Sequence, residues 1–117
     1  MNDQTKPVYD PQNLERLLVS REWAGDVDGM VALYEPNAVL ECGERQLVVG
    51  REAIRKFYAG LIATGRKFER GDQRPVIVSG DLALTSTRLP DGTVTAEIAR
   101  RQSDGTWLWV IDRFSIA

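Results

Sequence analysis

The segments 25–41 (GDVDGMVALYEPNAVLE) and 48–58 (VVGREAIRKFY) decide the fold of this chain. In the first segment, Asp26 is placed to cap a short helix whose apolar residues recur at helical spacing until Pro36 ends it. In the second segment, Gly50 precedes another helix with an apolar stripe along one side. The two segments therefore predict two amphipathic helices that are separated by extended chain.

The residues around these segments complete an α+β plan. Asp10 and Pro11 are typical of the start of a first helix, which Gly25 ends. Asp91-Gly92 and Asp104-Gly105 each predict a hairpin with a two-residue turn. Strands are predicted at residues 38–42, 46–49, 76–78 and 82–89 and around the two hairpins. Helices followed by an antiparallel meander indicate one α+β domain over residues 10–117, after an N-terminal tail at residues 1–9.

The composition excludes several kinds of site. The 117 residues include no histidine and one cysteine, Cys42, so histidine-based nucleophilic systems and imidazole zinc sites cannot be assembled. No cofactor is expected. The 17 acidic and 15 basic residues form no block of like charge, which predicts neither a nucleic-acid partner nor a membrane partner. The single cysteine and the absence of a signal-peptide pattern predict a cytoplasmic protein.

With the closing segment 104–115 (DGTWLWVIDRFS), these motifs resemble the SnoaL-like and ketosteroid-isomerase-like branch of the nuclear-transport-factor-2-like superfamily. The resemblance runs from about residue 14 to residue 115. It implies a cystatin-like cone, in which a curved antiparallel sheet wraps around three helices and leaves a pocket for a small apolar molecule. It also implies a homodimer that forms through the outer faces of the sheets. Members differ widely in activity, so the fold leaves the function open.

The catalytic pattern of ketosteroid isomerases can be compared with this sequence position by position. That pattern combines an aspartate base with an oxyanion hole made of a tyrosine and a protonated aspartate. The resemblance places the oxyanion tyrosine at Leu18, the base at Cys42 and the second acid near Arg101 or Glu97. Because Leu18 and Cys42 depart from the pattern, steroid isomerase chemistry of that kind is not expected.

The predicted hairpins indicate which strand residues lie side by side. With two-residue turns, Ser86 lies opposite Glu97, and Glu97 lies opposite Asp112. Arg88 and Arg101 fall on the same face as the two carboxyl groups. A β-bulge would shift this register.

Apolarity and resemblance disagree about which face of the sheet is the inner one. Apolarity favours the face with Trp107, Trp109 and Ile111. The resemblance favours the face with Asp112, because the family's pocket-lining positions on the last strand match Val110, Asp112 and Phe114. We follow the resemblance and predict that Trp107, Trp109 and Ile111 form the dimer surface.

This choice gives a catalytic hypothesis with four residues. Glu97 and Asp112, flanked by Arg88 or Arg101, would form a polar cluster in an apolar pocket. They could move a proton on a carbonyl compound or activate water, and the cluster resembles the Asp–Arg–Asp arrangement of epoxide hydrolases in this superfamily. The alternative is a buried ion network with no catalytic role. The predicted ligand-binding residues are Leu18, Tyr34, Cys42, Phe57, Tyr58, Leu84, Val110 and Phe114.

Two functional interpretations therefore remain open. One is a cofactor-free isomerase, cyclase or hydrolase that uses carboxyl groups on a small apolar carbonyl or epoxide compound. The other is a non-catalytic protein that binds a ligand or assembles as a dimer.

Overall fold

The computed structural model of the protein describes residues 6–43 and 45–116. Helices and strands follow in the predicted order of an α+β chain. The helical elements are a 3₁₀ turn at Pro11–Asn13, α1 at Leu14–Trp23, α2 at Val27–Val31 and α3 at Arg51–Ala63. The strands are β1 at Tyr34–Glu41, β2 at Leu47–Val49, β3 at Asp72–Gln73, β4 at Ile77–Ser79, β5 at Leu82–Thr85, β6 at Thr87–Arg88, β7 at Ala96–Arg101 and β8 at Trp107–Arg113.

Both predicted aspartate caps are present at the starts of the helices. Asp10 accepts a hydrogen bond from the Gln12 N–H (3.0 Å), and Asp26 accepts one from the Gly29 N–H (2.9 Å). The prediction that the second helix continues to Pro36 is wrong. Helix α2 ends at Val31, and β1 begins at Tyr34 because the chain there already pairs with the last strand.

A six-stranded sheet in the order β2-β1-β8-β7-β5-β4 forms one layer of the fold, while β3 and β6 pair separately. The strands predicted at residues 38–42 and 46–49 pair with each other as β1 and β2, and this pair is antiparallel. The expected meander is interrupted at the centre, where the first long strand, β1, lies parallel to the last strand, β8. A parallel pair needs a long connection, and here the rest of the chain supplies it.

Each of the two hairpins turns through three residues and not through the two that the sequence predicts. The Leu89 N–H donates to Thr93 O (2.7 Å), and the Gln102 N–H donates to Thr106 O (2.7 Å). Gly92 (φ 90°) and Gly105 (φ 87°) take the left-handed position that ends such a turn. The extra turn residue shifts the register by one, so Thr85 and not Ser86 lies opposite Glu97.

A bulge at Val110 corrects the register in the second hairpin. Ala99 pairs with Trp109, whereas Ile98 pairs with Ile111, so Val110 has no partner of its own in that ladder. The bulge cancels the shift made by the three-residue turn. Glu97 therefore lies opposite Asp112, as predicted.

The same bulge places tryptophans and carboxyl groups on one face. Trp107 and Trp109 are buried, with Trp109 fully enclosed, and Asp112 is buried on the same side of β8. The prediction that Trp107 and Trp109 lie on an outer dimer surface is therefore wrong, whereas Ile111 does face outward. Apolarity correctly placed Trp107 and Trp109 on the inner face, and the resemblance correctly placed Asp112 there. Both are right because the bulge at Val110 interrupts the alternation of inward and outward side chains along β8.

The outer face carries a continuous row of aliphatic side chains. The sheet register aligns one such residue from each of the six strands, and most of them are exposed. The row consists of Val49, Val39, Ile111, Ile98, Leu84 and Ile77. Leu84, predicted to line the pocket, belongs to this outer row because of the register shift.

Part of the segment predicted as an N-terminal tail packs against the domain. Val8 is buried in the core, and its carbonyl accepts a hydrogen bond from the Trp107 N–H (2.8 Å). In the part of the chain that the structure describes, none of the helices combines the length and apolarity that a membrane span requires.

Candidate active site

A cavity of about 630 Å³ opens between α1, α3 and the inner face of the sheet. Cavities of this size commonly hold small organic ligands. Its deep end includes buried carboxyl groups, and its mouth is formed by exposed residues after α3 and in the first hairpin. The lining comprises Glu15, Leu18, Cys42, Gly43, Phe57, Tyr58, Leu61, Arg66, Lys67, Phe68, Glu69, Leu89, Pro90, Asp91, Thr93, Thr95, Glu97, Asp112, Phe114 and Ser115.

Glu97 and Asp112 form the centre of the buried end. They lie directly opposite each other on β7 and β8, and each is 3% exposed. Both line the cavity. The structure therefore brings together the two carboxyl groups that the sequence proposed as catalytic.

Two threonine hydroxyls hold the carboxyl group of Glu97. Thr85 Oγ1 donates to Glu97 Oε1 (2.6 Å), and Thr85 Oγ1 itself accepts from the Trp109 indole N–H (3.2 Å). The Thr95 side chain also acts to lower the pKa of Glu97, and its Oγ1 accepts from the Thr87 N–H (3.1 Å). Because each threonine oxygen already accepts an N–H, its own proton is directed toward Glu97.

A pair of tyrosines holds Asp112 in a similar way. The Tyr34 hydroxyl donates to Asp112 Oδ2 at 2.6 Å, and the Tyr34 and Tyr58 hydroxyl oxygens are 2.7 Å apart. Because Tyr34 gives its proton to Asp112, Tyr58 donates to Tyr34. This chain of hydroxyls leaves Asp112 Oδ1 as the oxygen available to a bound molecule.

A third carboxyl group, that of Glu15, lines the cavity from the first turn of α1. The side chain is partly exposed, unlike those of Glu97 and Asp112. Glu15 lines the same cavity as Tyr58 and Asp112, and its charge adds to the pKa values of both, which burial chiefly raises. Sequence reasoning missed Glu15, because an acidic residue in the first turn of a helix is explained by the helix dipole alone.

Burial is the main cause of the shifted acidities in this cavity. Although part of the Glu15 side chain reaches solvent, its carboxyl group is enclosed by its neighbours, and this burial raises its pKa to about 8, with a further increase from the charge of Glu97. Burial and then the charge of Glu97 raise the pKa of Asp112 well above its usual range, against the effect of the Tyr34 hydrogen bond. Burial also raises the pKa of Glu97, but the hydrogen bonds from Thr85 and Thr95 oppose that rise. The group with two hydroxyl donors is therefore the one best suited to carry a negative charge.

The predicted arginine neighbours of the carboxyl pair lie elsewhere. Arg101 is exposed and forms an ion pair with Asp81 (2.6 Å) at the far end of the sheet. Arg88 is exposed on β6, beside Asp72 of β3. Their predicted position beside Glu97 and Asp112 is wrong, because the register shift in the first hairpin turns Arg88 away and Arg101 lies at the end of β7, four residues beyond Glu97. The Asp–Arg–Asp arrangement is therefore not formed by these residues.

The predicted ligand-binding residues divide into three groups. Those that line the cavity are Leu18, Cys42, Phe57, Tyr58 and Phe114. Tyr34 lies behind this lining and acts on the cavity through Asp112. Leu84 lies on the outer face, and Val110, at the bulge, is not among the described lining residues.

Four aromatic rings form a connected apolar wall beside the carboxyl groups. The ring centroids of Phe57 and Phe114 are 5.7 Å apart, those of Phe57 and Tyr58 are 5.1 Å apart, and Phe68 meets Tyr58 edge-on at 6.2 Å. All four residues line the cavity. Phe57 and Tyr58 were predicted to line the pocket, but Phe68 could not be assigned from the sequence because it lies in the connection after α3.

The arrangement of acidic groups gives no support for a metal centre. Among residues 6–43 and 45–116, no group of three or more Cys, Asp or Glu side chains is placed to hold a metal ion. The three carboxyl groups therefore surround the cavity and do not converge on one point.

Comparison with known proteins identifies relatives of this fold. A family model described as the SnoaL-like domain matches residues 15–117. No curated protein sequence matches this chain.

Three solved structures illustrate the structural similarity. A protein of unknown function from Mycobacterium tuberculosis superposes with a TM-score of 0.74 at 18% identity, over 87% of this chain and 70% of the other. A ketosteroid isomerase-like protein from Erwinia carotovora atroseptica gives 0.67 at 17% identity, over 87% and 89% of the two chains. An NTF2-like protein with a cystatin-like fold from Novosphingobium aromaticivorans gives 0.65 at 20% identity, over 87% and 76%. At identities this low, the three superpositions show that the fold is shared and nothing more.

Proposed function

Because the chain belongs to the SnoaL-like domain family and its cavity sets two buried carboxyl groups side by side, we propose that it is a cofactor-free acid–base enzyme. The substrate would be a small apolar carbonyl compound. The observation that supports this most strongly is the different hydrogen bonding of Glu97 and Asp112. Glu97 accepts a hydrogen bond from Thr85 and its pKa is lowered further by Thr95, whereas Asp112 accepts one hydroxyl donor, Tyr34, and is buried beside another acid.

This difference assigns a separate task to each carboxyl group. Ionised Glu97 removes a proton from the carbon next to the carbonyl group, and protonated Asp112 gives its proton to the carbonyl oxygen. The product of this step is an enol, with one proton now on Glu97 and the negative charge on Asp112. Where the substrate carries a β,γ double bond, the enol is a dienol; return of the proton from Glu97 to the γ carbon, with loss of the enol proton to Asp112, then completes an isomerisation and restores both groups.

The geometry favours a carbonyl compound over an epoxide. Epoxide opening by an Asp–Arg–Asp arrangement requires an arginine between the two acids, and Arg88 and Arg101 lie away from the cavity. A carbonyl compound needs only an acid at oxygen and a base at carbon, the roles proposed for Asp112 and Glu97.

Exchange of carbon-bound protons with solvent tests this proposal directly. Cyclic ketones such as 2-tetralone would be incubated with the protein in deuterated buffer, and loss of the α-proton signals would be followed by proton NMR. Because Cys42 lines the cavity, alkylation with N-ethylmaleimide is expected to slow the catalysed exchange about tenfold or more by filling the space.

The matched control is the Cys42→Ser variant treated with the same reagent, which should retain its activity. Ketones that bind without any catalysed exchange would contradict the enzyme proposal and support the alternative, a protein that binds its ligand unchanged. Exchange that persists after complete alkylation would place the reaction outside this cavity.

We further propose that two copies of the chain associate through the aliphatic row on the outer face. Six strands at their usual spacing make this row about 24 Å long, a length that fits a standard interface. Ion pairs border it, with Arg100 bonded to Glu35 (3.0 Å) and Arg113 bonded to Glu41 (3.0 Å). An apolar centre with a charged rim is typical of a protein–protein interface, and an outward face of this kind can pair with itself about a twofold axis.

The Ile98→Asp variant tests the dimer, because Ile98 lies near the middle of the row. Sedimentation velocity at micromolar concentration should show a dimer for the wild type and a monomer for Ile98→Asp, since the variant places two charges in the apolar centre. Val78→Asp is the control, because Val78 is an exposed aliphatic residue outside the row. A monomeric wild type, or a dimeric Ile98→Asp variant, would contradict this interface.

A further inference from the structure

The proposed acid–base mechanism uses Glu97 and Asp112 and gives Glu15 no role. Glu15 lines the cavity from α1, opposite the sheet that carries Glu97 and Asp112, and is close enough to affect both Asp112 and Tyr58. The charge that most affects Glu15 is that of Glu97, another acid. A third acid beside two others opposes folding unless a proton or a cation neutralises it.

The hydroxyl donors around the carboxyl groups are already engaged. Thr85 and Thr95 direct their protons to Glu97, Tyr34 directs its proton to Asp112, and Tyr58 directs its proton to Tyr34. The buried end of the cavity therefore offers a ligand three carboxyl groups: Asp112, protonated in the proposed mechanism, and Glu97 and Glu15, whose oxygens accept hydrogen bonds when ionised. An ammonium group is a donor of three hydrogen bonds and accepts none, so it complements such a surface.

The aromatic wall adds a second feature that suits a cation. Phe57, Tyr58, Phe68 and Phe114 line the same cavity. The faces of aromatic rings attract ammonium groups, most strongly where water is excluded. An apolar molecule with a positive charge would therefore find both ring faces and carboxyl groups in this space.

The two basic residues of the lining are engaged at the mouth. Lys67 and Arg66 are both exposed, and the Lys67 ammonium group donates to the Trp23 carbonyl (3.3 Å). Hydrogen bonds with Thr93 chiefly lower the pKa of Asp91, and the charge of Arg66 lowers it slightly further. The charged and titratable groups that face Glu15 across the cavity are thus mainly acidic or neutral: Glu97, Asp112, Tyr58 and Cys42, with Arg66, Lys67, Glu69 and Asp91 at the mouth.

We propose that Glu15 binds a protonated amine of the substrate, so that the cavity selects a small apolar carbonyl compound that also carries an ammonium group. The requirement for a carbonyl group rests on the proposed function, whereas binding of the amine is an equilibrium property that can be measured without turnover. Glu97 and Asp112 then remain free for acid–base work while Glu15 fixes the orientation of the substrate.

Binding of the amine has a measurable proton linkage. With a pKa of about 8, Glu15 is mostly protonated at pH 7 in the empty cavity and must ionise to pair with an ammonium group. Amine binding at pH 7 should therefore release most of one proton. The affinity should rise about tenfold for each pH unit between pH 6 and pH 7, where Glu15 loses its proton more readily as the pH rises.

Isothermal titration calorimetry with 2-aminotetralin and its neutral isostere 2-tetralol tests this proposal. Titrations in phosphate and in Tris, which differ in ionisation enthalpy, count the protons released. In the wild type, the amine should bind about tenfold tighter than the alcohol or better at pH 7, and only the amine should release a proton. The pH dependence of the wild type alone provides a test that needs no variant.

The Glu15→Gln variant should lose both the preference for the amine and the proton release, whereas the control Glu52→Gln, which removes an exposed carboxylate on α3, should keep both. Equal or weaker binding of the amine, no binding of the amine up to millimolar concentration, or an unchanged preference in Glu15→Gln would each overturn the proposal. Exchange of 2-tetralone protons is measured separately, so a wild type that shows no preference for the amine but still exchanges ketone protons contradicts only the role of Glu15. The reverse result contradicts only the proposed acid–base reaction.

Discussion

Replacement of Glu97 by glutamine is expected to lower the catalysed exchange of 2-tetralone protons by about 10² to 10⁴-fold, the usual contribution of a general base. Glutamine keeps the shape of the side chain and still accepts the hydrogen bond from Thr85. It cannot take a proton from carbon, because an amide is not basic. Rates measured by NMR in deuterated buffer for the variant and the wild type give the ratio directly.

The thermal stability of Glu97→Gln separates a chemical effect from an unfolding effect. Because burial raises the pKa of Glu97, the ionised group opposes folding at neutral pH, so the variant should be at least as stable as the wild type. Glu52→Gln, at an exposed position, should change neither the rate nor the melting temperature. A fully folded Glu97→Gln protein that exchanges protons at the wild-type rate would remove Glu97 from the mechanism.

The pairing of Glu97 with Asp112 could be predicted from the sequence, but for reasons that the structure revises. The DG dipeptides correctly located both hairpins, yet they did not reveal whether each turn has two or three residues. In the second hairpin, the bulge at Val110 offsets the extra turn residue, so the predicted pairing at Asp112 is confirmed. In the first hairpin nothing offsets it, and the faces of Leu84, Ser86 and Arg88 are reversed.

The residues missed by sequence reasoning share a physical reason. Thr85 and Thr95 are ordinary residues for a strand, and Glu15 is an ordinary residue for the start of a helix. Only the three-dimensional arrangement shows that they meet the carboxyl pair around one cavity. Local patterns predict which helices and strands form, whereas the composition of a cavity depends on register and on contacts between distant segments.

Replacement of Trp109 by alanine is expected to produce the largest loss of stability among single changes considered for this protein. Trp109 is fully buried, its ring lies 5.4 Å from that of Tyr34, and its indole N–H donates to Thr85. Removal of a buried tryptophan side chain costs about 3–5 kcal/mol, a large part of the stability of a small domain. The melting temperature should therefore fall by about 10–20 °C, which differential scanning calorimetry would measure.

Trp23→Ala is the matched control, because Trp23 is 59% exposed and its main polar contact is one hydrogen bond from its indole N–H to the Phe68 carbonyl (2.6 Å). Its cost should be about 1 kcal/mol. Trp109→Phe separates packing from hydrogen bonding, since phenylalanine keeps an aromatic ring in the core but lacks the N–H that orients Thr85. We expect this variant to fold and to exchange ketone protons more slowly, because the Thr85 proton is no longer directed to Glu97. Equal losses of stability in Trp109→Ala and Trp23→Ala would show that Trp109 does not lie on the inner face of β8 as described.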